Sequence, residues 1–205
     1  MGFYADRVFP RLIDVACNTK SQLPIRERVC APLAGEVLEI GFGTGLNLPH
    51  LPPGVTRVFA VDPMQRGREL AADRLAASPV DVQFVGTDGE SISLDDDSVD
   101  AALSTWTLCT IPDPVAALHE VARVLRPGGT VHFAEHGAAP EAATRTWQDR
   151  LNPIQRKVAC GCNLNRQIDE IVVTAGFQIR ELDTFYAPGE PKFMGWTFVG
   201  VAEPG

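Results

Sequence analysis

The sequence predicts an α/β fold in which helices cover both faces of a seven-stranded, mostly parallel sheet. Two observations support this prediction: short apolar runs alternate with helical segments, and the first apolar run ends in a turn with glycine at every second position. Alternation of this kind is typical of parallel sheets with helical crossovers. The last strand is expected to be antiparallel, and the predicted strands lie near residues 36–40, 57–62, 82–86, 99–105, 130–135, 177–185 and 193–202.

Length and composition agree with one domain. A chain of 205 residues suits a single α/β domain with a sizeable core. Its formal charge is −8, so we expect no nucleic-acid partner, because affinity for phosphate backbones depends on clustered Lys and Arg. No secretory pattern and no apolar run of spanning length occurs, so we expect a cytoplasmic protein without membrane contact. The sequence leaves the oligomeric state open.

The turn after the first strand is the most informative segment. Gly41, Gly43 and Gly45 follow Glu39 at intervals of two, and glycines allow positive φ angles and close approach of the backbone to a ligand. A dinucleotide fold expects G-x-G-x-x-G, but Leu46 stands where its third glycine would be. The turn therefore predicts a nucleotide-type ligand other than a dinucleotide; the alternative is a tight bend without a ligand.

The next two strands also lead into acidic residues. Asp62, seventeen residues after Gly45, stands at a strand end, where an open α/β fold places a ribose-binding acid, and Pro63 ends that strand by removing a backbone donor. The third strand leads into Asp88 and Gly89, which by themselves would be read as turn residues. Three successive strand ends thus carry polar groups at the same predicted edge of the sheet.

These motifs together resemble the class I S-adenosylmethionine-dependent methyltransferases, whose fold is Rossmann-like. Ser98–Trp106 is similar to the fourth strand of that family, and Glu120–Gly129 to the following helix and turn. The resemblance implies S-adenosyl-L-methionine as the cofactor, with the acid at Glu39 orienting the loop or the methionine amino group, Asp62 binding the ribose hydroxyls and Asp88 the adenine amino group. The implied cofactor-binding residues are Glu39, Gly41, Phe42, Gly43, Gly45, Asn47, Asp62, Pro63, Met64, Asp88, Gly89, Thr105 and Trp106.

The helices complete the predicted domain. Three helices are predicted, over residues 65–77, 114–125 and 166–175. Asp113 would cap the second helix and Pro114 would lie in its first turn, and Gly176 would end the third. The N-terminus carries apolar residues at nearly helical spacing, which predicts either a lid or a helix packed on the sheet: Phe3, Tyr4, Val8, Phe9, Leu12, Ile13 and Val15. The single domain then divides into an N-terminal helical lid or packing segment (1–34), a cofactor-binding core (35–136), a polar, substrate-side insertion (137–166), and a closing helix with strands (167–205).

A second set of residues completes the pattern: Asn47, Pro52-Pro53-Gly54, Ser104 to Cys109, Glu135-His136, Trp147, Gly161 to Leu164, and Arg166. This set gives the sequence a closer resemblance, over roughly residues 36–200, to the branch of type-11 methyltransferases that includes the alkyl thiol S-methyltransferases. It implies a small-molecule methyl acceptor, with a thiol as the first candidate and a phenol, quinol or phospholipid amine as alternatives. Animal members are anchored by an apolar N-terminal segment that this sequence does not show, so membrane attachment is not expected.

The candidate catalytic residues are His136 and Glu135. His136 ends the fifth strand, at the edge where open α/β sheets bind ligands, so it is predicted to deprotonate or position the acceptor; the alternative is a structural histidine. Glu135 is predicted to orient His136 or to bond a loop amide. His132, inside the strand, is predicted to be buried and structural, and Cys109, near the cofactor loop, is predicted to be a small residue packed beside the ligand.

Other interpretations stay open. An NAD-dependent oxidoreductase would share the strand, turn and acid layout, and a non-catalytic cofactor-binding protein would keep the glycines and Asp62. Five cysteines, scattered and odd in number, are typical of reduced thiols. We expect no metal, because Cys160 and Cys162 supply only two of the four ligands of a closed zinc site. The segment 137–166 carries a net charge of +3 within a chain of −8, which would favour an anionic acceptor; the alternative is a solvated charged face.

Overall fold

A computed structural model describes residues 4–205 of the chain. Its centre is one seven-stranded sheet with the order β3-β2-β1-β4-β5-β7-β6. The predicted fold class is confirmed, and every predicted strand is present. The strands are β1 (Gly35–Ile40), β2 (Val55–Val61), β3 (Asp81–Gly86), β4 (Val99–Thr105), β5 (Leu125–His136), β6 (Phe177–Tyr186) and β7 (Trp196–Pro204).

The sheet has a parallel part and an antiparallel part. Strands β1 to β5 pair in parallel, whereas β7 runs antiparallel to both of its neighbours, β5 and β6. Strand β1 lies between β2 and β4, so the chain reverses its winding direction at the β1–β4 boundary. In open parallel sheets such a reversal leaves a crevice outside the carboxyl ends of the strands, and ligands bind there.

Helices cover both faces of the sheet. A π-helical turn (Tyr4–Val8) precedes the first helix, and a 3-10 turn (Leu48–His50) follows the glycine turn. Asp113 caps α5 as predicted, because its Oδ1 accepts hydrogen bonds from the amides of Val115 (3.1 Å) and Ala116 (3.0 Å). The helices are α1 (Phe9–Ala16), α2 (Leu23–Cys30), α3 (Gln65–Leu70), α4 (Ala72–Ala77), α5 (Pro114–Val124), α6 (Ala142–Val158), α7 (Ile168–Thr174) and α8 (Lys192–Gly195).

Three segments differ from the sequence prediction. The helix expected over residues 65–77 is divided at buried Ala71, although hydrogen bonds continue across that residue. The predicted insertion contains the 17-residue helix α6. Its apolar residues Trp147, Ile154 and Val158 are exposed, so it lacks the buried apolar stripe by which a helix is recognised in a sequence. The last strand begins at Trp196 because the residues before it form α8.

Two apolar clusters pack on the two faces. Leu38 and Ile40 of β1 point into the cluster that includes helices α5 and α7, whereas Val37 points into the cluster that includes α2. Ile25 and Val29 of α2 are buried in that second cluster. The second half of the predicted N-terminal segment therefore belongs to the hydrophobic core of the domain.

Candidate active site

A cavity of about 880 Å³ opens where the carboxyl ends of the parallel strands meet. It is lined by residues that follow β1, β2, β3 and β4 and by His136 at the end of β5. All of the predicted cofactor-binding residues line it except Glu39 and Gly45, and Glu135 does not line it. Five consecutive strands therefore bring most of the predicted residues to one place.

The three glycines of the turn are required for different reasons. All have positive φ angles, between 56° and 76°. A Cβ at Gly41 would lie 1.9 Å from Thr107 Oγ1, and one at Gly45 would lie 3.1 Å from the Phe42 ring, so both positions are closed by the protein itself. A Cβ at Gly43 would meet only a carbonyl 3.9 Å away. Gly43 is thus the glycine whose backbone borders open space and can be approached by a ligand.

A buried polar network lies beneath this turn. Asn47 donates to Glu39 Oε1 (2.7 Å) and to Thr105 Oγ1 (2.9 Å), and Arg26 donates to Asn47 Oδ1 (2.6 Å). The Arg26 guanidinium also lies 4.6 Å from the centre of the Trp106 ring. Thr105 and Trp106 are among the predicted cofactor residues, and the network connects them to the glycine turn.

Glu39 and Arg26 are the charged members of the network. Within residues 4–205, Glu39 Oε2 is buried and has no hydrogen-bond partner. Burial raises the pKa of Glu39 to about 7, against the opposing effects of the Asn47 hydrogen bond and the charge of Arg26. Burial likewise lowers the pKa of Arg26. Sequence reasoning missed Arg26 because α2 is far in sequence from every motif it contacts.

Asp62 lies at the end of β2 and is almost fully buried. Its Oδ2 accepts a hydrogen bond from the Gly43 amide and its Oδ1 one from the Met64 amide, both of 2.7 Å. Burial raises the pKa of Asp62, while these two bonds oppose the rise. Each carboxylate oxygen retains a further lone pair, so the group can still accept hydrogen bonds from two hydroxyls. Asp88 is exposed and accepts a bond from the Glu90 amide (2.9 Å).

Glu135 holds the loop after β4. It is fully buried and accepts hydrogen bonds from Ser104 Oγ (2.8 Å) and from the amides of Thr107 (2.9 Å), Leu108 (3.0 Å) and Cys109 (3.3 Å). Burial raises its pKa, and these bonds oppose the rise. Glu135 lies outside the cavity lining, so its position does not suit the catalytic role predicted for it. Of the two predicted contacts, with His136 or with a loop amide, the structure contains the hydrogen bonds to loop amides.

His136 is part of a cluster that the sequence did not reveal. Its Nε2 lies 3.0 Å from Cys162 Sγ, and Cys162 Sγ donates to Cys109 Sγ at 3.7 Å. The hydrogen bond with Cys109, together with burial, raises the pKa of Cys162. Among the described residues, His136 Nδ1 is buried without a hydrogen-bond partner. Three chain segments meet here, whereas the sequence pattern pairs only Cys160 with Cys162 as metal ligands.

His132 has the structural role predicted for it. Its Nε2 lies 2.9 Å from Thr130 Oγ1. Burial lowers its pKa to about 4, so the ring is neutral at physiological pH. His132 therefore contributes to the core rather than to the cavity, in contrast to His136.

The first helix closes one side of the cavity. Phe9 and Ile13 line it, and Asp14 Oδ1 accepts hydrogen bonds from Thr44 Oγ1 (2.6 Å) and Arg74 Nη1 (2.8 Å). On its outer face, Leu12 and Val15 are 52% and 74% exposed, so the predicted apolar face is only partly used for packing. Phe3, which was predicted as part of this face, lies outside the described residues.

The site suits the cofactor that the motifs imply. Its volume lies within the usual range for small-molecule pockets, about 300 to 1,000 Å³. Gly43 borders open space, Asp62 has spare acceptor capacity, and the orphaned Glu39 Oε2 is an acceptor in the network beneath the turn. A ligand with ribose hydroxyls matches the spare acceptor capacity of Asp62 and the open space at Gly43.

Comparison with known proteins identifies the class. The family described as "Methyltransferase domain" matches residues 38–133. Thiol S-methyltransferase TMT1A of Homo sapiens is 36% identical over 168 residues, which cover 80% of this chain and 66% of that protein. A demethylmenaquinone methyltransferase of Clavibacter sepedonicus is 34% identical over 123 residues, 60% of this chain and 50% of that protein.

A solved structure supports the fold. An S-adenosylmethionine-dependent methyltransferase from Mesorhizobium loti has a TM-score of 0.66 at 16% identity, with 90% of this chain and 98% of that chain covered. The fold is that of a class I methyltransferase. The chain belongs to the S-adenosylmethionine-dependent methyltransferases of this class, as its motifs predicted, and the cofactor of the family is S-adenosyl-L-methionine.

Two facts bound this assignment. The chain spans about two thirds, 66%, of the length of the thiol S-methyltransferases it matches. Of the helices in the described part of the chain, none has the length and apolar character needed to cross a membrane.

Proposed function

We propose that the protein transfers the methyl group of S-adenosylmethionine to a small-molecule thiol. The observation that carries this proposal is one continuous cavity that joins the glycine turn and Asp62 to a second end lined by His136, Cys109 and Cys162. Relatives named thiol S-methyltransferases support sulfur as the acceptor atom. The first end would hold the cofactor and the second would hold the acceptor.

At the cofactor end, we assign the ribose hydroxyls to Asp62 and the adenine amino group to Asp88. Gly43 lets the cofactor approach the backbone, and Glu39 acts on the methionine amino group through Asn47, to which it is hydrogen bonded. The other predicted residues of the lining contribute shape. When bound, the cofactor supplies an activated methyl group on a sulfonium centre.

At the acceptor end, the protein has to align a nucleophile, exclude water and remove a proton. A thiol with a pKa of about 8.5 is partly ionised at neutral pH and needs only modest assistance. His136 is the group we assign to the acceptor, as a base or by positioning it. Glu135 acts one step further away, by fixing the loop that carries Cys109.

Two segments would enclose the acceptor. Residues 137–166 contribute Gln155, Arg156 and Arg166 to the lining, and their net positive charge would favour an anionic thiol. Helix α1 would act as the lid over the cofactor end. We further propose a cytoplasmic location, because Cys17, Cys30, Cys109 and Cys162 carry free thiols.

A second candidate acceptor is a quinol. It is favoured by the similarity to a protein named demethylmenaquinone methyltransferase, although that similarity covers only 60% of this chain. Release of S-adenosylhomocysteine should be measured with thiols, phenols, quinols, amines and phospholipids as acceptors. In a separate calorimetric experiment, binding of S-adenosylmethionine is compared with binding of NAD. Turnover of quinols without turnover of any thiol would refute the sulfur assignment and leave the methyltransferase assignment intact.

The role of His136 has its own test. His136→Ala should lower the rate of thiol methylation by roughly a hundredfold near neutral pH, and the loss should shrink as pH rises past the pKa of the thiol. The matched control is His119→Ala, on the exposed side of α5. An equal loss at pH 7 and pH 9.5 would show that His136 only shapes the cavity.

A further inference from the structure

We propose that Cys109, His136 and Cys162 form a binding site for a borderline-soft divalent cation, with Zn²⁺ as the best match, in the wall of the acceptor end of the cavity. The site would hold the metal through three protein ligands and leave the fourth position open to the acceptor. Metal binding stands on the geometry alone, and the role in thiol activation rests on the proposed function.

Two of the three pairs of ligand atoms already have nearly the spacing that a metal requires. All three lie within 4.8 Å of one another. The two sulfur atoms are 3.7 Å apart, close to the ~3.8 Å between two thiolates that bind a tetrahedral Zn²⁺ at ~2.3 Å. The distance from Cys162 Sγ to His136 Nε2 is 3.0 Å, so this pair would have to separate by only about 0.6 Å to reach the ~3.6 Å of a coordinated pair.

The backbone around the cluster is held in place independently of any metal. Asn163 donates to the Cys109 carbonyl twice, from its amide (2.8 Å) and from its side chain (3.0 Å), and so ties the Cys162 turn to the Cys109 loop. Glu135 accepts from the Cys109 amide, and Arg166 donates to Leu108 and Ile111 carbonyls of the same loop. Outer contacts of this kind orient ligands in metal sites.

The donor set and its location define the kind of site. Two thiolates and an imidazole favour zinc over magnesium or calcium, which prefer oxygen ligands. Structural zinc sites have four protein ligands, whereas catalytic sites have three and keep one position for water or substrate. Because Cys109, His136 and Cys162 all line the cavity, a metal held by them would be accessible from the cavity interior.

An acceptor thiol in the open position would be activated by the metal. Coordination lowers the pKa of the thiol, and the S–H proton passes to solvent. As a metal ligand, His136 would position the acceptor and would not act as its base. The thiolate then donates an electron pair to the methyl carbon, the new S–CH₃ bond forms, and the bond from that carbon to the sulfonium sulfur breaks. The products are a neutral thioether and S-adenosylhomocysteine, so charge and atoms balance without an oxidant or reductant.

The test measures the metal alone. Protein purified without chelator should contain about one zinc per chain by elemental analysis, and metal-stripped protein should bind Co²⁺ with the thiolate charge-transfer and tetrahedral d–d absorption. Cys109→Ser, Cys162→Ser and His136→Gln should each weaken Co²⁺ binding by more than about tenfold. Cys160→Ser is the matched control, two residues from Cys162 and outside the cluster, and should retain the metal.

Each variant is checked for folding by circular dichroism and S-adenosylmethionine binding, because loss of metal from an unfolded chain says nothing about ligands. A folded wild-type chain that takes up neither Zn²⁺ nor Co²⁺ overturns the site, and so does equal loss of Co²⁺ in Cys160→Ser. Thiol methylation at full rate in metal-stripped protein overturns the activating role but leaves the proposed function standing. Metal binding without turnover of any thiol leaves the metal site standing and overturns both the activating role and the proposed thiol acceptor.

Discussion

The two ends of the cavity are built in different ways. The cofactor end consists of short segments that each follow a strand, so that Gly43 and Asp62 meet because β1 and β2 are neighbours. The acceptor end consists of segments that are distant in sequence, such as Cys109 and Cys162, which are 53 residues apart. One end is therefore determined by local motifs on a common sheet edge, and the other by tertiary packing of loops.

This difference sets what a sequence can predict. Gly41, Gly43, Gly45 and Asp62 were found because glycine spacing and strand-end acids report local backbone geometry. The burial of Arg26 could not be predicted, because an arginine in a helix with a weak apolar pattern is normally solvent exposed. The pairing of Cys109 with Cys162 likewise depends on where α6 and the β4 loop pack, which no local pattern encodes.

The role of Glu135 illustrates the same limit. Its position beside His136 in sequence suggested a catalytic pair, but side chains of adjacent strand residues point to opposite faces of a sheet. The Glu135 carboxylate therefore lies on the loop amides while the His136 ring lies in the cavity lining. Sequence neighbours on a strand are poor candidates for direct contact.

The largest expected effect tests whether Arg26 connects the N-terminal segment to the cofactor end. Arg26→Met should lower the free energy of unfolding by about 3 kcal/mol, because Asn47 and Glu39 lose a buried donor and a buried charge. The control is Arg28→Met on the same helix, an exposed residue paired with Asp183, for which we expect less than about 1 kcal/mol. The free energies of unfolding are measured by urea titration. A similar loss in both variants would show that Arg26 does not support the buried network beneath the glycine turn.

The next effect is a pH dependence at Glu39. The folded protein raises the pKa of this acid from its usual 4.5 to about 7, so the protonated form is favoured by folding. That contribution is fully present below about pH 4.5 and is lost as pH rises through 7. Relative to Glu39→Gln, the unfolding free energy of the wild type should fall by up to about 3 kcal/mol between pH 4.5 and pH 8.

Urea unfolding at several pH values measures this difference, with Glu27→Gln, an exposed acid on α2, as a control for general charge effects. A wild type and a Glu39→Gln variant whose stabilities stay parallel over this range would mean that Glu39 is ionised in the folded protein. The buried network would then be anchored by an ion pair with Arg26 rather than by a shared hydrogen-bond chain through Asn47.

A smaller effect is expected at Asp62. Asp62→Ala should weaken S-adenosylmethionine binding by about ten- to a hundredfold, or about 1 to 3 kcal/mol, since the ribose hydroxyls lose their acceptor and the Gly43 amide loses its partner. Asp88→Ala, at an exposed strand end, should cost less. Calorimetric titration of both variants with S-adenosylmethionine measures the affinity that each substitution costs. Unchanged affinity in folded Asp62→Ala would contradict the assignment of the cofactor end.

The smallest effect concerns α1, which is either a lid over the cofactor end of the cavity or a helix packed permanently on the sheet. Asp14 bridges this helix to Thr44 of the glycine turn and to Arg74 of α4. As a lid contact, Asp14→Ala should raise the KM for S-adenosylmethionine by about fivefold, corresponding to about 1 kcal/mol, with little change in the free energy of unfolding. Asp73→Ala, exposed on the same helix as Arg74, is the control and should change neither quantity.

If the unfolding free energy instead falls while KM stays constant, α1 is a fixed part of the core. The cavity would then be closed by packing alone, and access to the acceptor end would have to be through the segment 137–166.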